Sequence, residues 1–287
     1  MAVYSAQDYD FLFNTPAGEL QEDAFETLRH KNVFRYRVKT IRSGGVVEVE
    51  IFPLWNTQSE SRAARALTTR DTQQKLNARN AKKTLIRKIN TNFTRDDYHA
   101  VLTYAGGFLP NEKQARRDMR AFIKRVRNYH KKNGLPPLKY VYVIELSDGD
   151  GRRTRVHHHV ILSGDAPREV IKNLWPHGRV RVDELEPENG TLEGLARYIT
   201  KQHGKKQSKR WACSHNLKLP HITTADTKLS KKQAERLAAD VKAEAPRIFR
   251  KHFSDYALDV CTVNTSEYVA GAYIYARMHK EGKGVRL

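Results

Sequence analysis

The stretch "LKYVYVIELSDGDGRRTRVHHHVILS", residues 138–163, constrains the fold more than any other. Two runs of β-branched and aromatic residues flank the turn-forming "SDGDG", which predicts an antiparallel hairpin with strands over 138–146 and 155–163. Side chains of a strand alternate between faces, so His157 and His159 share one face and His158 takes the other. A turn centred near Gly151 then sets Glu145 opposite His157 and diagonal to His159. Glu145 follows an otherwise uncharged run after Lys139, and an unpaired buried charge is expensive, so it needs a partner. One reading is a cross-strand ion pair with Arg153 or Arg155. The other is a divalent ion held by one carboxylate and two imidazoles, with open coordination positions as a catalytic site requires. Mixed oxygen and nitrogen donors suit Mn²⁺ or Mg²⁺ acting on a phosphate, with Zn²⁺ as the alternative.

Around this hairpin the hydrophobic periodicity predicts further elements. "AVLTYAG" (100–106) reads as a short strand. Ala115, Met119, Phe122, Val126 and Tyr129 form one apolar stripe of a helix over 111–133, whose other face is Lys and Arg. A short helix over 167–174, a strand over 178–185 and a helix over about 191–202 follow. The order β-α-β-β-α-β predicts an α+β fold: a ferredoxin-like split βαβ antiparallel sheet with helices on one face and the other face left for a ligand. Before it, "NVFRYRVKTIRSGGVVEVEIFPL" reads as a β-hairpin and residues 59–89 as a basic helix. After it come a helical stretch over 229–253 and a last amphipathic piece, read as a C-terminal helical extension. The expected domains are an N-terminal hairpin and basic helix (1–90), a core (91–205) and a basic, helical C-terminal extension (206–287).

Charge narrows the partner. Fifty-two Lys and Arg against 32 Asp and Glu leave a net charge of +20, which calls for a polyanion. No apolar run approaches the roughly 18 residues of a membrane span, so the expected partner is nucleic acid and not a membrane. Cys213 and Cys261 are too few for a disulfide framework or a cysteine zinc site, which fits a reducing cytoplasm.

"LARYITKQHG" supplies a nucleophile. Tyr198 and Lys201, three apart on a helix, share a face, while Leu192, Leu195 and Ile199 mark the core side. Alone, such a pair is common, and Tyr198 also reads as a half-buried aromatic at the edge of the core. Beside a His-x-His strand on a basic protein it fits a tyrosine phenolate attacking a DNA phosphodiester, with a metal polarising the phosphate.

Over roughly Leu76 to Pro220 the chain resembles the HUH endonucleases, and within them the single-tyrosine rolling-circle replication initiators of plasmids and phages. The resemblance rests on "LTY" (102–104), "VIEL…RVHHHVIL" and "YITK" (198–201), supported by "KLNARNAKKTLIRKINTNF", "LWPHGRVRV" and "RWACSHNLKLP". It implies Glu145, His157 and His159 as ligands of Mn²⁺ or Mg²⁺, Tyr198 as nucleophile, and Lys201 as the residue that positions the phosphate or tyrosine. The implied reaction is strand-specific nicking through a 5′-phosphotyrosine bond that starts and ends rolling-circle replication. Arg153, Arg155, Arg197, Lys205, Lys206, Lys209 and Arg210 are the cations expected on the DNA. Implied partners are single-stranded or hairpin origin DNA in a bacterial cytoplasm and a separate helicase, since no G-x-x-x-x-G-K-[ST] loop occurs. One departure stands out: His158 occupies the usually hydrophobic place between the ligands. It either packs there or, in a register shifted by one residue, becomes a ligand itself. Trp175 and Trp211 read equally as base-stacking or core residues. A transposase or mobilisation relaxase with the same chemistry is one rival, and a non-catalytic RRM-like nucleic-acid-binding protein is the other.

Overall fold

Turn chemistry sets the first element pair. Gly44 and Gly45 form a two-residue loop, with Gly44 at φ 58°, between β1 (Val33–Ser43) and β2 (Val46–Trp55). Ser43 pairs with Val46, the register that such a tight turn imposes. The computed structural model describes residues 33–55, 70–106, 108–147, 153–188, 191–199, 211–265 and 271–281. These fall into two compact units, one within 85–219 and one formed from 1–84 with 220–287.

Helix α1 (Arg70–Asn92) leads into the 85–219 unit. That unit continues with β3 (Tyr98–Thr103), α2 (Glu112–Lys132), β4 (Tyr140–Ser147), β5 (Arg153–Leu162), α3 (Arg168–Asn173), β6 (Val180–Glu184), α4 (Glu193–Ile199) and β7 (Ala212–Cys213). The strands lie in the order β6-β3-β5-β4-β7, and each neighbouring pair is antiparallel. The histidine strand β5 thus sits between the two strands joined by α2, which is the split βαβ arrangement. Asn111 caps α2 by accepting from the Gln114 amide, and the Gly134 turn ends it at φ 65°.

On one face of this sheet, Ala115, Met119, Phe122 and Val126 of α2 pack on Leu102, Tyr142, Ile144 and Val160 with Trp175. The other face is also covered, which corrects the expectation of helices on one side only. Leu85, Ile89 and Phe93 from the end of α1, and Leu192, Ala196 and Ile199 from α4, pack over Val141, Val143 and Ile161. The reason lies in those strands: alternate residues on both faces are apolar, so both faces must be withdrawn from water. The end of α1 therefore serves as core, although its cations had suggested a phosphate-facing helix.

The second unit completes the β1–β2 hairpin with β8 (His221–Ala225), β9 (Tyr256–Thr265) and β10 (Ala272–Lys280), in the order β8-β1-β2-β10-β9. Helices α5 (Lys231–Ala239) and α6 (Val241–His252) pack Leu237, Ile248 and Phe249 against Val38, Val49 and Ile274. The α+β class holds, but the C-terminal segment contributes three strands as well as helix. Its single expected helix breaks at Asp240 (φ −139°, ψ 86°), whose side chain accepts from the Ala243 amide and starts a new one. No helix among the described residues is long and apolar enough to cross a membrane.

Candidate metal and nucleophile site

The register of β4 on β5 brings the candidate ligands together. Glu145 pairs directly with His157, as the turn position required, and Val143 pairs with His159. A bulge between Glu145 and Ser147 bends β4 just beyond the carboxylate. Glu145 Oε2 lies 3.2 Å from His159 Nε2 and 3.9 Å from His157 Nδ1. One donor atom from each of the three residues falls within 4.8 Å of the others. His159 is buried, while His157 and Glu145 are part-exposed, so the cluster opens to solvent on one side.

The donor set fits a divalent ion. Two donors each about 2.1 Å from one ion stand roughly 3.0–3.4 Å apart in octahedral or tetrahedral geometry. The Glu145–His159 separation already lies in that range, and a few tenths of an ångström at the exposed His157 ring closes the other. Two neutral imidazoles and one carboxylate leave positions for water or a phosphate oxygen.

A residue that the sequence did not flag supports this set. His99 of β3 pairs with Ile161, one step diagonal to His159 on the same face. Its Nε2 lies 3.3 Å from His159 Nδ1, and the two rings stack at 5.5 Å. If His159 offers Nε2 to an ion, its proton sits on Nδ1 and points at His99, which orients the ligand ring. Burial, reinforced by the nearby His159, lowers the His99 imidazole to about 4 and so keeps it neutral. No spacing rule pairs residues sixty positions apart, and only the β3–β5 register reveals the contact.

His158 takes the other face, which settles the register question against its being a ligand. Its Nε2 lies 3.2 Å from Tyr104 Oη, and Tyr104 in turn donates to Asp118 Oδ2 at 3.0 Å. Since that single hydroxyl proton goes to Asp118, the imidazole must supply Nε2–H to the phenol oxygen. Trp175, His177 and Phe122 enclose the group with ring contacts of 4.8–6.0 Å. Burial drives the His158 imidazole down to about 3 and, with the Asp118 hydrogen bond, raises the Tyr104 phenol. Gly178 permits this packing, because a Cβ there would meet Thr103 O at 2.4 Å. Trp175 is core, with its Nε1–H donated to Thr103 O, and Trp211 packs half-buried under the Lys88 ammonium.

Tyr198 stands on the same side as the ligand cluster. Leu192, Ala196 and Ile199 anchor α4 in the core and leave Tyr198 63% exposed, with its ring edge-on to His159 at 5.7 Å. Arg197, next to it, is exposed and hydrogen-bonded to Glu193 one turn back. Lys201, Lys205, Lys206, Lys209 and Arg210 lie outside the described residues. The backbone of Arg153 and Arg155 runs in β5, and their side chains are likewise outside the description.

Residues 97–206 match a family of replication-associated proteins, that of the replication-associated protein ORF2. The matched span runs from just before β3 past α4, so it contains Glu145, His157, His159 and Tyr198. No curated protein and no solved structure matches the chain.

Proposed function

We propose that the chain is a metal-dependent, single-strand-specific DNA nicking and rejoining enzyme that initiates and terminates rolling-circle replication. The observation that carries this reading is the exposed Tyr198 ring held against His159 of the Glu145–His157–His159 cluster. A divalent ion on those three residues would withdraw charge from the scissile phosphate. Tyr198 Oη forms a bond to phosphorus as the bond from phosphorus to the 3′ oxygen breaks, leaving a 3′-OH and a 5′-phosphotyrosine. The phenol proton leaves and the departing 3′ oxygen gains one, so the exchange is balanced. The phosphodiester energy stays in the enzyme–DNA bond, and a later 3′-OH reverses the step without ATP. Lys201 would offset negative charge developing on the phosphate or tyrosine. The cations Arg153, Arg155, Arg197, Lys205, Lys206, Lys209 and Arg210 would track the strand, and a partner helicase would open the duplex.

Similarity to a replication-associated family favours replication over transposition or mobilisation. An RRM-like binder needs an open sheet face carrying aromatic platforms, and here α1 and α4 cover Val141, Val143 and Ile161 where that face would lie. The test is incubation of wild type and Tyr198→Phe with pooled single-stranded oligonucleotides and Mn²⁺, followed by denaturing gels. A protein–DNA adduct in wild type that is absent from the variant is the expected result. An adduct that persists in Tyr198→Phe would remove Tyr198 as nucleophile.

A further inference from the structure

On the side of the sheet away from the ligand cluster, α2 and β4 enclose a cavity of about 260 Å³ lined by Arg120, Ile123, Lys124, Arg127, Tyr140 and Tyr142. Three cations and no carboxylate line it. Arg116 on the same helix is neutralised by Glu112, whereas Arg120 and Lys124 have no ion-pair partner among the described residues. Arg127 is held in place: its Nη2–H donates to Tyr140 Oη at 3.2 Å, and its guanidinium lies 5.3 Å from that ring. The Tyr140 and Tyr142 rings stack at 6.1 Å and are largely buried, so they wall the cavity and are not open to a stacked base. Burial raises the Tyr142 phenol above the usual tyrosine value, which keeps its O–H intact as a donor at neutral pH.

Like charges converging on an apolar floor repel one another in a partly desolvated space, and an anion relieves that cost. Arg forks and phenol hydroxyls match phosphate oxygens in geometry and polarity. Tyr140 and Tyr142 alternate along β4 with Val141, Val143 and Glu145, so the cavity and the candidate carboxylate ligand share one strand on opposite faces. Five residues of strand separate Tyr140 from Glu145 by about 17 Å.

We infer that this cavity is a second DNA site, which grips a backbone phosphate of the single strand entering or leaving the nicking centre. The inference rests on the nicking reading for the identity of the strand. Because the rings are walls and the cations face the cavity, the site takes phosphate without regard to base sequence.

The test is fluorescence anisotropy of a labelled 20-mer of thymidine with the full chain over a range of NaCl concentrations. It compares wild type with Arg120→Ala/Lys124→Ala/Arg127→Ala and with the charge-keeping Arg120→Lys/Arg127→Lys. Each single-strand phosphate contact adds about 0.7 to the slope of log K against log salt. Up to three lost contacts should lower the slope by as much as about 2 and weaken binding roughly tenfold or more at low salt, while the lysine variant keeps most of both. An unchanged slope and affinity in the alanine variant would overturn the inference. So would ATP binding by wild type that the alanine variant loses while thymidine binding stays intact, since the cavity would then hold a free nucleotide. The readout is independent of cleavage: absence of a wild-type adduct would sink the nicking reading and leave the phosphate site standing on its own slope.

Discussion

His157 and His159 face one side of β5 and His158 the other, and the three adjacent residues of one type meet opposite fates. On the first side, a carboxylate lies 3.2 Å from His159, and the part-exposed His157 and Tyr198 keep the group open to water. On the second, His158 is fully buried and joined through Tyr104 to Asp118 beneath Trp175. The contrast teaches that residue type does not define the site. An imidazole becomes a candidate ligand where a carboxylate and open space converge on it, and a structural hydrogen-bonding group where aromatic rings enclose it.

The comparison breaks most visibly at Glu145. Glu145→Ala should cut Mn²⁺-dependent adduct formation by about a thousandfold or more, several kcal/mol of transition-state stabilisation, with little change in the unfolding midpoint. Unchanged adduct yield would remove Glu145 from the site. His99→Phe should keep the fold and lower Mn²⁺ affinity by about 10–100-fold, because the ring behind His159 no longer accepts its Nδ1 proton. Titration calorimetry gives that number, and wild-type affinity would show that the stacked pair orients nothing.

The second face should respond in the opposite sense. His158→Val should keep adduct formation within roughly threefold while costing about 1–3 kcal/mol of stability, through a lost buried hydrogen bond and a small void. A loss of cleavage as deep as that of Glu145→Ala, at unchanged stability, would contradict the division of faces. The smallest effect is one of pH. With the His158 value lowered from 6.5 to about 3, the folded state binds fewer protons than the unfolded state between those values. Its contribution to stability is therefore complete above 6.5 and declines as pH falls toward 3. Chemical denaturation with chelator present, at about pH 7.5 and about pH 5, should show a flatter pH dependence in His158→Val, and parallel slopes would mean that His158 is not held neutral by burial.

Much of this was legible in local pattern. The period-2 alternation and the "SDGDG" turn set Glu145 opposite His157, because hairpin pairing follows from turn position. The 3.6 period placed Leu192 and Ile199 inward and Tyr198 outward on α4. Non-local packing was not legible. Nothing in "YHAVLTY" announces that His99 stacks on a ring sixty residues away, and nothing in "ARRDMRAF" announces that Asp118 takes a tyrosine proton. The helical reading of 229–253 missed the break at Asp240, and the chain after it contributes β9 and β10 to a sheet begun at Val33.

What the sequence determined by itself was the strand hairpin, the face that each histidine occupies, the outward tyrosine and the positive charge, since these depend on neighbours within a turn or a strand. The tertiary structure alone decided that both faces of the sheet are covered, that His99 backs His159, that His158 is locked to Tyr104, and that three cations of α2 line a cavity against β4. Those outcomes come from contacts between segments far apart in the chain, whose pairing is chosen by the burial of whole apolar faces and leaves no local periodicity to read.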